Sequence, residues 1–185
     1  MIDKLQNALG YHFNDIELLN QAITHRSASV KNNERMEFLG DAILGFQVAE
    51  FLFKKEEKVD EGQLSRMRSY LVRKDSLADI GRKLELSDVI ILGQGELKSG
   101  GQNRDSIIAD TVEAIIGAVY LDGGLDAAGT LIKKLLMEKL SNPNWILQQK
   151  DPKTKLQELL QKKGLELPIY EVIKIEGESH QQEFY

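Results

Sequence analysis

Residues 105–121 constrain the fold of this chain more than any other stretch. They form the most hydrophobic segment of the 185 residues, yet Asp110 and Glu113 stand three apart among isoleucines, valines and alanines. At about 100° per residue, positions three apart share one face of a helix. A helix this apolar must be buried. Burying two ionised carboxylates with nothing opposite them costs several kcal/mol each, so the fold has to bring them a partner.

A second acidic helix is predicted from Asn32 or Asn33 to about Lys54. Glu34, Glu37 and Asp41 fall within about 60° of one another on it, while Met36, Phe38, Leu39, Ile43, Leu44, Phe46, Val48 and Ala49 are apolar on most other sides. Two readings fit: a line of acid on a buried helix that needs a cation, or a solvated acidic face partnered by Arg35 and distant lysines. Interior glycines cost about 1 kcal/mol each in a helix. Gly40 and Gly45 therefore point to close approach of another backbone or a ligand.

The remaining segments surround these two. Residues 14–24 read as a short helix capped by Asn14, with Glu17 three positions on. His25 follows, as a hydrogen-bonded structural histidine or a catalytic one. Asp60 caps a helix that runs to about Arg73, with Glu61 in its first turn where the helix dipole favours acid. Another helix begins at Asp75 or Ser76 and reaches Leu84. The glycine-rich residues 93–104 contain no G-x-x-x-x-G-K-S/T and follow no βαβ strand, so a nucleotide cofactor is rejected. Asp122-Gly123-Gly124 stops the apolar helix, and an amphipathic helix covers 126–140. Residues 1–144 thus form an all-α domain without a convincing strand.

After Asn142-Pro143-Asn144 the pattern changes. Residues 145–150 read as a linker or a short docking turn, and residues 151–185 as a small α+β unit. Its helix spans 152–163 and ends at Gly164; a strand covers 169–175, a turn 177–180, and a second strand begins at 181 as an unpaired edge.

With no cysteine, disulfides and thiolate metal sites are excluded. The first residues lack a secretory signal, and no apolar run is expected to reach membrane-spanning length, so a cytoplasmic protein with no membrane partner is expected. A net charge of −5 argues against passive nucleic-acid binding. It does not argue against an enzyme whose acids hold cations, because bound ions invert the local field. Carboxylate-only ligands from two helices suit Mg²⁺, with Mn²⁺ as a substitute. Zinc lacks its nitrogen and sulfur donors here. A di-iron bundle lacks its Glu-x-x-His pairs. Five carboxylates also exceed what glycoside hydrolysis uses. Metal-assisted phosphoryl transfer fits best.

Residues 33–44 resemble the signature of the ribonuclease III family nearly residue for residue. Residues 59–68, 93–101 and 107–117 resemble further blocks of that family in the same order. The resemblance implies an all-α endonuclease domain and a homodimer that hydrolyses double-stranded RNA in RNA processing, leaving 5′-phosphate and 3′-hydroxyl ends. It implies that Glu37, Asp41, Asp110 and Glu113 bind metal, with Asp41 and Glu113 catalytic. Glu34 and Glu61 match supporting acids, and Phe38 matches an aromatic dimer contact; from the residues alone, Phe38 is equally ordinary core. Residues 151–158 and 177–180 resemble the first helix and first loop of a double-stranded-RNA-binding domain, which implies RNA contacts by Thr154, Gln157, Glu158 and His180. That domain's third strand and basic second helix are missing, and residues 151–185 hold five Lys against seven acids. A shortened, incomplete RNA-binding domain is expected, with weak phosphate binding. A non-catalytic RNA-binding or scaffold protein is the rival reading; the presence of all four cluster carboxylates argues against it.

Overall fold

Two helices cross at the centre of the larger unit, α3 (Glu34–Lys55) and α7 (Asp105–Ser141). The computed structural model describes residues 1–141, 152–169, 175–176 and 183–184. The chain divides into two compact units, Met1–Trp145 and Ile146–Tyr185. In the first, α1 (Ile2–Leu9), α2 (Ile16–Ala22), α4 (Glu61–Val72), α5 (Lys74–Lys83) and α6 (Gln94–Lys98) accompany the central pair. Helices α2, α3 and α5 all pack on α7.

The central crossing is a backbone contact. A Cβ built on Gly40 would lie 1.8 Å from the Glu113 carbonyl oxygen, and one on Gly117 would lie 2.3 Å from the Met36 carbonyl oxygen. No side chain fits between the helices at either point. Around this contact Met36, Ile43, Leu44, Val48 and Leu52 of α3 are buried with Ile108, Val112, Ile115, Ile116 and Val119 of α7. At the far end, Lys55 Nζ donates to the Leu140 carbonyl oxygen at 3.2 Å and ties the two helices together again.

The acids of the first turn of α3 and Lys54 and Lys55 of its last turn complement the helix dipole. Helix α4 is capped as expected, the Asp60 carboxylate accepting from Gln63 N at 2.7 Å. Helix α2 is capped one residue later than expected. Asp15, not Asn14, accepts from Glu17 N at 3.0 Å, because the Asn14 backbone N–H and side-chain amide both donate to Asp122 on α7. That carboxylate also accepts from Tyr11 Oη at 2.6 Å and Asp15 N at 2.9 Å. Partial burial works to raise the Asp122 pKa, but these hydrogen bonds outweigh it and hold it low. Burial and the bond to Asp122 push the Tyr11 hydroxyl up to about 12.

Other expectations need correction. Gly45 has no other part of this chain within 4 Å of a Cβ built on it, so the expected close approach is not made by the chain itself. By length and apolarity alone α7 could cross a membrane, contrary to the expectation that no run would reach that length. Its flank is instead packed inside the unit, and Gly124 breaks it with φ 78° and ψ −173°. Helix α1 is too short to carry a strong periodic signal in the sequence, although Leu5 and Leu9 keep helical spacing and are buried.

In the second unit α8 (Pro152–Lys162) ends at Gly164, whose φ of 66° is left-handed. Strand β1 (Ile175–Glu176) pairs antiparallel with β2 (Glu183–Phe184), so the last strand is not the unpaired edge expected. Ile169 lies outside any strand. The rest of the expected strand at 170–174, the linker at 145–150 and the turn at 177–180 fall outside the described residues.

Gly40→Ala is expected to destabilise the first unit by about 3 kcal/mol or more, since the helices have no room to separate without losing their core. In the single chain Gly45→Ala is expected to stabilise it by about 0.5–1 kcal/mol by removing a helix-interior glycine. Chemical denaturation monitored by circular dichroism checks both signs.

Candidate metal centre

The Gly40–Gly117 contact lies within two helical turns of three acids. Glu37 precedes Gly40 by three residues on α3; Asp110 and Glu113 precede Gly117 by seven and four on α7, so all three project beside the crossing. One carboxylate oxygen from each of Glu37, Asp110 and Glu113 lies within 4.8 Å of the other two, and all three side chains are partly buried. Two helices thus supply oxygen donors to one point.

The protein offers these acids little compensating charge. Glu113 is pushed up to about 8, by burial first and then by the negative charges of Asp41, Asp110 and Glu37. Glu37 is raised by burial and by Asp110, Glu34 and Asp41, with Arg26 opposing. Asp110 is raised by burial against the pull of Lys74, His25 and Arg26. Carboxyls so placed gain from any cation that displaces their protons. The donor set is oxygen only, which suits a hard divalent ion and disfavours zinc.

The other expected residues spread out from this point. Asp41 is exposed and outside the trio, although its charge acts on Glu113 and Glu37. Glu34 is turned toward Arg26, whose Nη1 lies 3.3 Å from Glu34 Oε1. The expected partner was Arg35; Arg26 comes from the α2–α3 loop, where helical periodicity carries no signal. Glu61 accepts from Ser65 Oγ at 2.8 Å one turn along α4 and is not among the trio. The structural reading of His25 fits its contacts: Nδ1 lies 2.8 Å from Ser27 Oγ.

Phe38 is 81 % exposed, which removes the ordinary-core reading within one chain. Phe46 and Phe53 are also exposed, at 54 % and 74 %. With Ala42 and Ala49 they fall within roughly 80° of one another on α3, so this apolar stripe faces out of the single chain and is not part of its core. Beside it lies a groove of about 410 Å³ whose lining includes Phe46, Ala49, Phe53, Glu61, Leu64 and Arg68. In the second unit Gln157 is partly exposed on α8. The side chains of Thr154 and Glu158, and His180 altogether, fall outside the described residues.

The family described as Ribonuclease-III-like matches residues 15–140, and the Double-stranded RNA binding motif matches residues 152–185. The chain is 54% identical over 183 residues to Ribonuclease 3 of Vibrio atlanticus, covering 99% of this chain and 81% of the relative. It is 53% identical, with the same coverage, to Ribonuclease 3 of Vibrio cholerae. Among solved structures it resembles the nuclease domain of ribonuclease III from Campylobacter jejuni, with a TM-score of 0.73 and 44% identity over 75% of this chain and 97% of that one. That structure is described as showing flexibility in a region involved in dimer formation.

A carboxyl whose pKa is higher folded than unfolded stabilises the fold at pH values below its unfolded pKa. The contribution disappears as pH rises through the folded pKa. For Glu113 that window runs from the ordinary 4.5 to about 8. Glutamine mimics the protonated form at every pH. In EDTA, Glu113→Gln is therefore expected to melt with the parent near pH ~4 and several degrees above it near pH ~9. Calorimetry across that range checks the divergence; a constant difference would refute it.

Proposed function

The chain belongs to the ribonuclease III family, and from that premise we propose that Glu37, Asp110 and Glu113, with Asp41 beside them, form a Mg²⁺-dependent centre for phosphodiester hydrolysis. The chain is an endoribonuclease acting on double-stranded RNA. The observation that carries the proposed chemistry is the convergence of three carboxylates from two helices within 4.8 Å. A divalent ion held there supplies Lewis acidity to the phosphate and makes water a stronger nucleophile; Mn²⁺ is a plausible substitute.

The residues of the chain have distinct parts in this reading. Glu37, Asp110 and Glu113 provide the ligands, and the rigid crossing at Gly40 and Gly117 keeps them preorganised. Asp41 adds negative charge beside Glu113 and favours the cation-loaded state. Glu34 and Glu61 support the cleft from its rim. Water oxygen attacks phosphorus as the bond to the 3′ oxygen breaks, so the new phosphate remains on the 5′ side and a 3′ hydroxyl is released. Residues 1–144 carry this activity, residues 145–150 connect, and residues 151–185 contribute duplex binding through Thr154, Gln157, Glu158 and His180. The enzyme acts in the cytoplasm in RNA processing.

The exposed stripe favours a homodimer. Phe38, Phe46 and Phe53 present aromatic surface that a single chain leaves in water, and a second copy is the natural cover. The dimer-forming region described for the Campylobacter jejuni domain supports the same reading.

Glu113→Gln is expected to lower Mg²⁺-dependent cleavage of a long RNA duplex by about 1,000-fold or more, because several kcal/mol of charge stabilisation rests on that ligand. Full activity in a gel assay would overturn the site. Phe38→Glu is expected to convert a dimer to a monomer in light scattering with helicity unchanged. A dimer that persisted would remove the stripe from the interface.

A further inference from the structure

One cation beside the metal centre has a role that neither the ligands nor the dimer face explains. The backbone around Arg26 is fixed on both sides. His25 N donates to the Ile91 carbonyl at 3.0 Å and Ala28 N to the His25 carbonyl at 2.9 Å. Ser27 N donates to His25 Nδ1 at 3.2 Å, and Gly93 N donates to Ser27 Oγ at 2.9 Å. A Cβ on Gly93 would lie 2.2 Å from the Ser27 carbonyl oxygen, so the two loops meet backbone to backbone.

The Arg26 side chain is held far less firmly. It is 69 % exposed, and among the described residues its ion pair is with Glu34, itself 51 % exposed, at 3.3 Å. A solvated pair of this kind contributes little and breaks readily. The charge of Arg26 nevertheless reaches the centre, opposing the upward shifts of both Glu37 and Asp110. Lys74 and His25 act on Asp110 as well. Glu34 precedes Glu37 by three residues on α3, one turn away, so the Arg26–Glu34 pair lies beside the Glu37 edge of the centre.

A phosphodiester entering a cluster of carboxylates meets repulsion from every acid that the metal does not fully neutralise. A guanidinium on a fixed stem, loosely parked on a rim acid, can turn from that acid to the incoming anion. We propose that Arg26 is a phosphate-positioning residue, which leaves Glu34 when RNA binds and donates to a non-bridging oxygen of the scissile phosphate. This rests on the reading of Glu37, Asp110 and Glu113 as the metal centre. Glu34 then serves as the resting place of Arg26, which gives a physical basis for an acid on the rim that is not among the converging three. The planar fork matches two phosphate oxygens in a way that a lysine ammonium does not. Because charge accumulates on those oxygens as the bond to the nucleophile forms, the contact strengthens in the transition state and acts mainly on kcat.

The test uses the full chain, a long RNA duplex and Mg²⁺. Arg26→Ala is expected to lower single-turnover cleavage about 100-fold, as loss of one preorganised donor does. Its affinity for the duplex in EDTA should change by less than about threefold, since one phosphate contact among many is removed. Arg26→Lys should recover about tenfold of the loss, keeping the charge but not the fork. A purely structural Arg26, needed to neutralise Glu34, makes a different prediction: the double variant Arg26→Ala/Glu34→Gln regains activity. The proposal has the double variant as slow as Arg26→Ala. Rescue in the double variant, or a loss confined to affinity and its salt dependence, would overturn it. Glu113→Gln run in parallel separates the two readings. If that variant is inactive and Arg26→Ala is normal, the role of Arg26 fails alone; if Glu113→Gln is fully active, the metal centre fails first.

Discussion

The contact of two peptide backbones at Gly40 and Gly117 sets the distance on which the rest of the nuclease unit depends. Helices separated by ordinary side chains run about 8–10 Å apart. Here the Glu113 carbonyl occupies the space where a Cβ on residue 40 would be, and the Met36 carbonyl does the same for residue 117. Acids placed near such a crossing converge without long side chains having to reach across a core. Glu37, Asp110 and Glu113 meet within 4.8 Å for that reason. The cost is electrostatic, and it is visible in the upward displacement of all three carboxyls.

Much of this was legible in the sequence, because both helices carry strong periodic signals. The apolar run with Asp110 and Glu113 had to be core and had to be compensated. Glu34, Glu37 and Asp41 were readable together as the facing acids, but not which of the three joins the pair on α7; only Glu37 does. What could not be read was the phase of α3 against its surroundings. Periodicity shows that Phe38, Phe46 and Phe53 share a side, but not whether that side meets the same chain or solvent. They are exposed, and Gly45 near them faces open space. Arg26 lay beyond reach for a different reason. It belongs to a loop whose course is set by hydrogen bonds to residues 91 and 93, contacts of long sequence separation with no local pattern. The Asp122 carboxylate, which holds the α2 approach through three residues, was read from sequence simply as part of a helix stop.

An acidic protein acting on a polyanion needs its charges sorted rather than balanced. The net charge of −5 describes the whole surface. Locally, acids gather where α3 and α7 cross, and Arg26, His25 and Lys74 act on one flank of that gathering. In the proposed centre, metal ions held by the acids would turn this gathering of negative charge into a favourable place for a phosphate. The loops on the flank then need supply only direction.

Helix α3 joins these properties because its faces are rigidly related. Its core face carries Gly40 and Ile43, its acid edge runs through Glu37, Asp41 and Glu34, and its outer face carries the phenylalanine stripe. At about 100° per residue the acid edge lies between the other two. Glu37, nearest the core face, is partly buried and joins the trio; Glu34 and Asp41, nearer the stripe, are exposed and reach the rim. A gradient of burial around one helix thus separates ligand from rim acid among residues of the same charge. Whatever covers the stripe presses on the same rigid rod that holds Glu37, so in the proposed dimer the two centres are spaced by the packing of α3 against its counterpart and not by flexible loops.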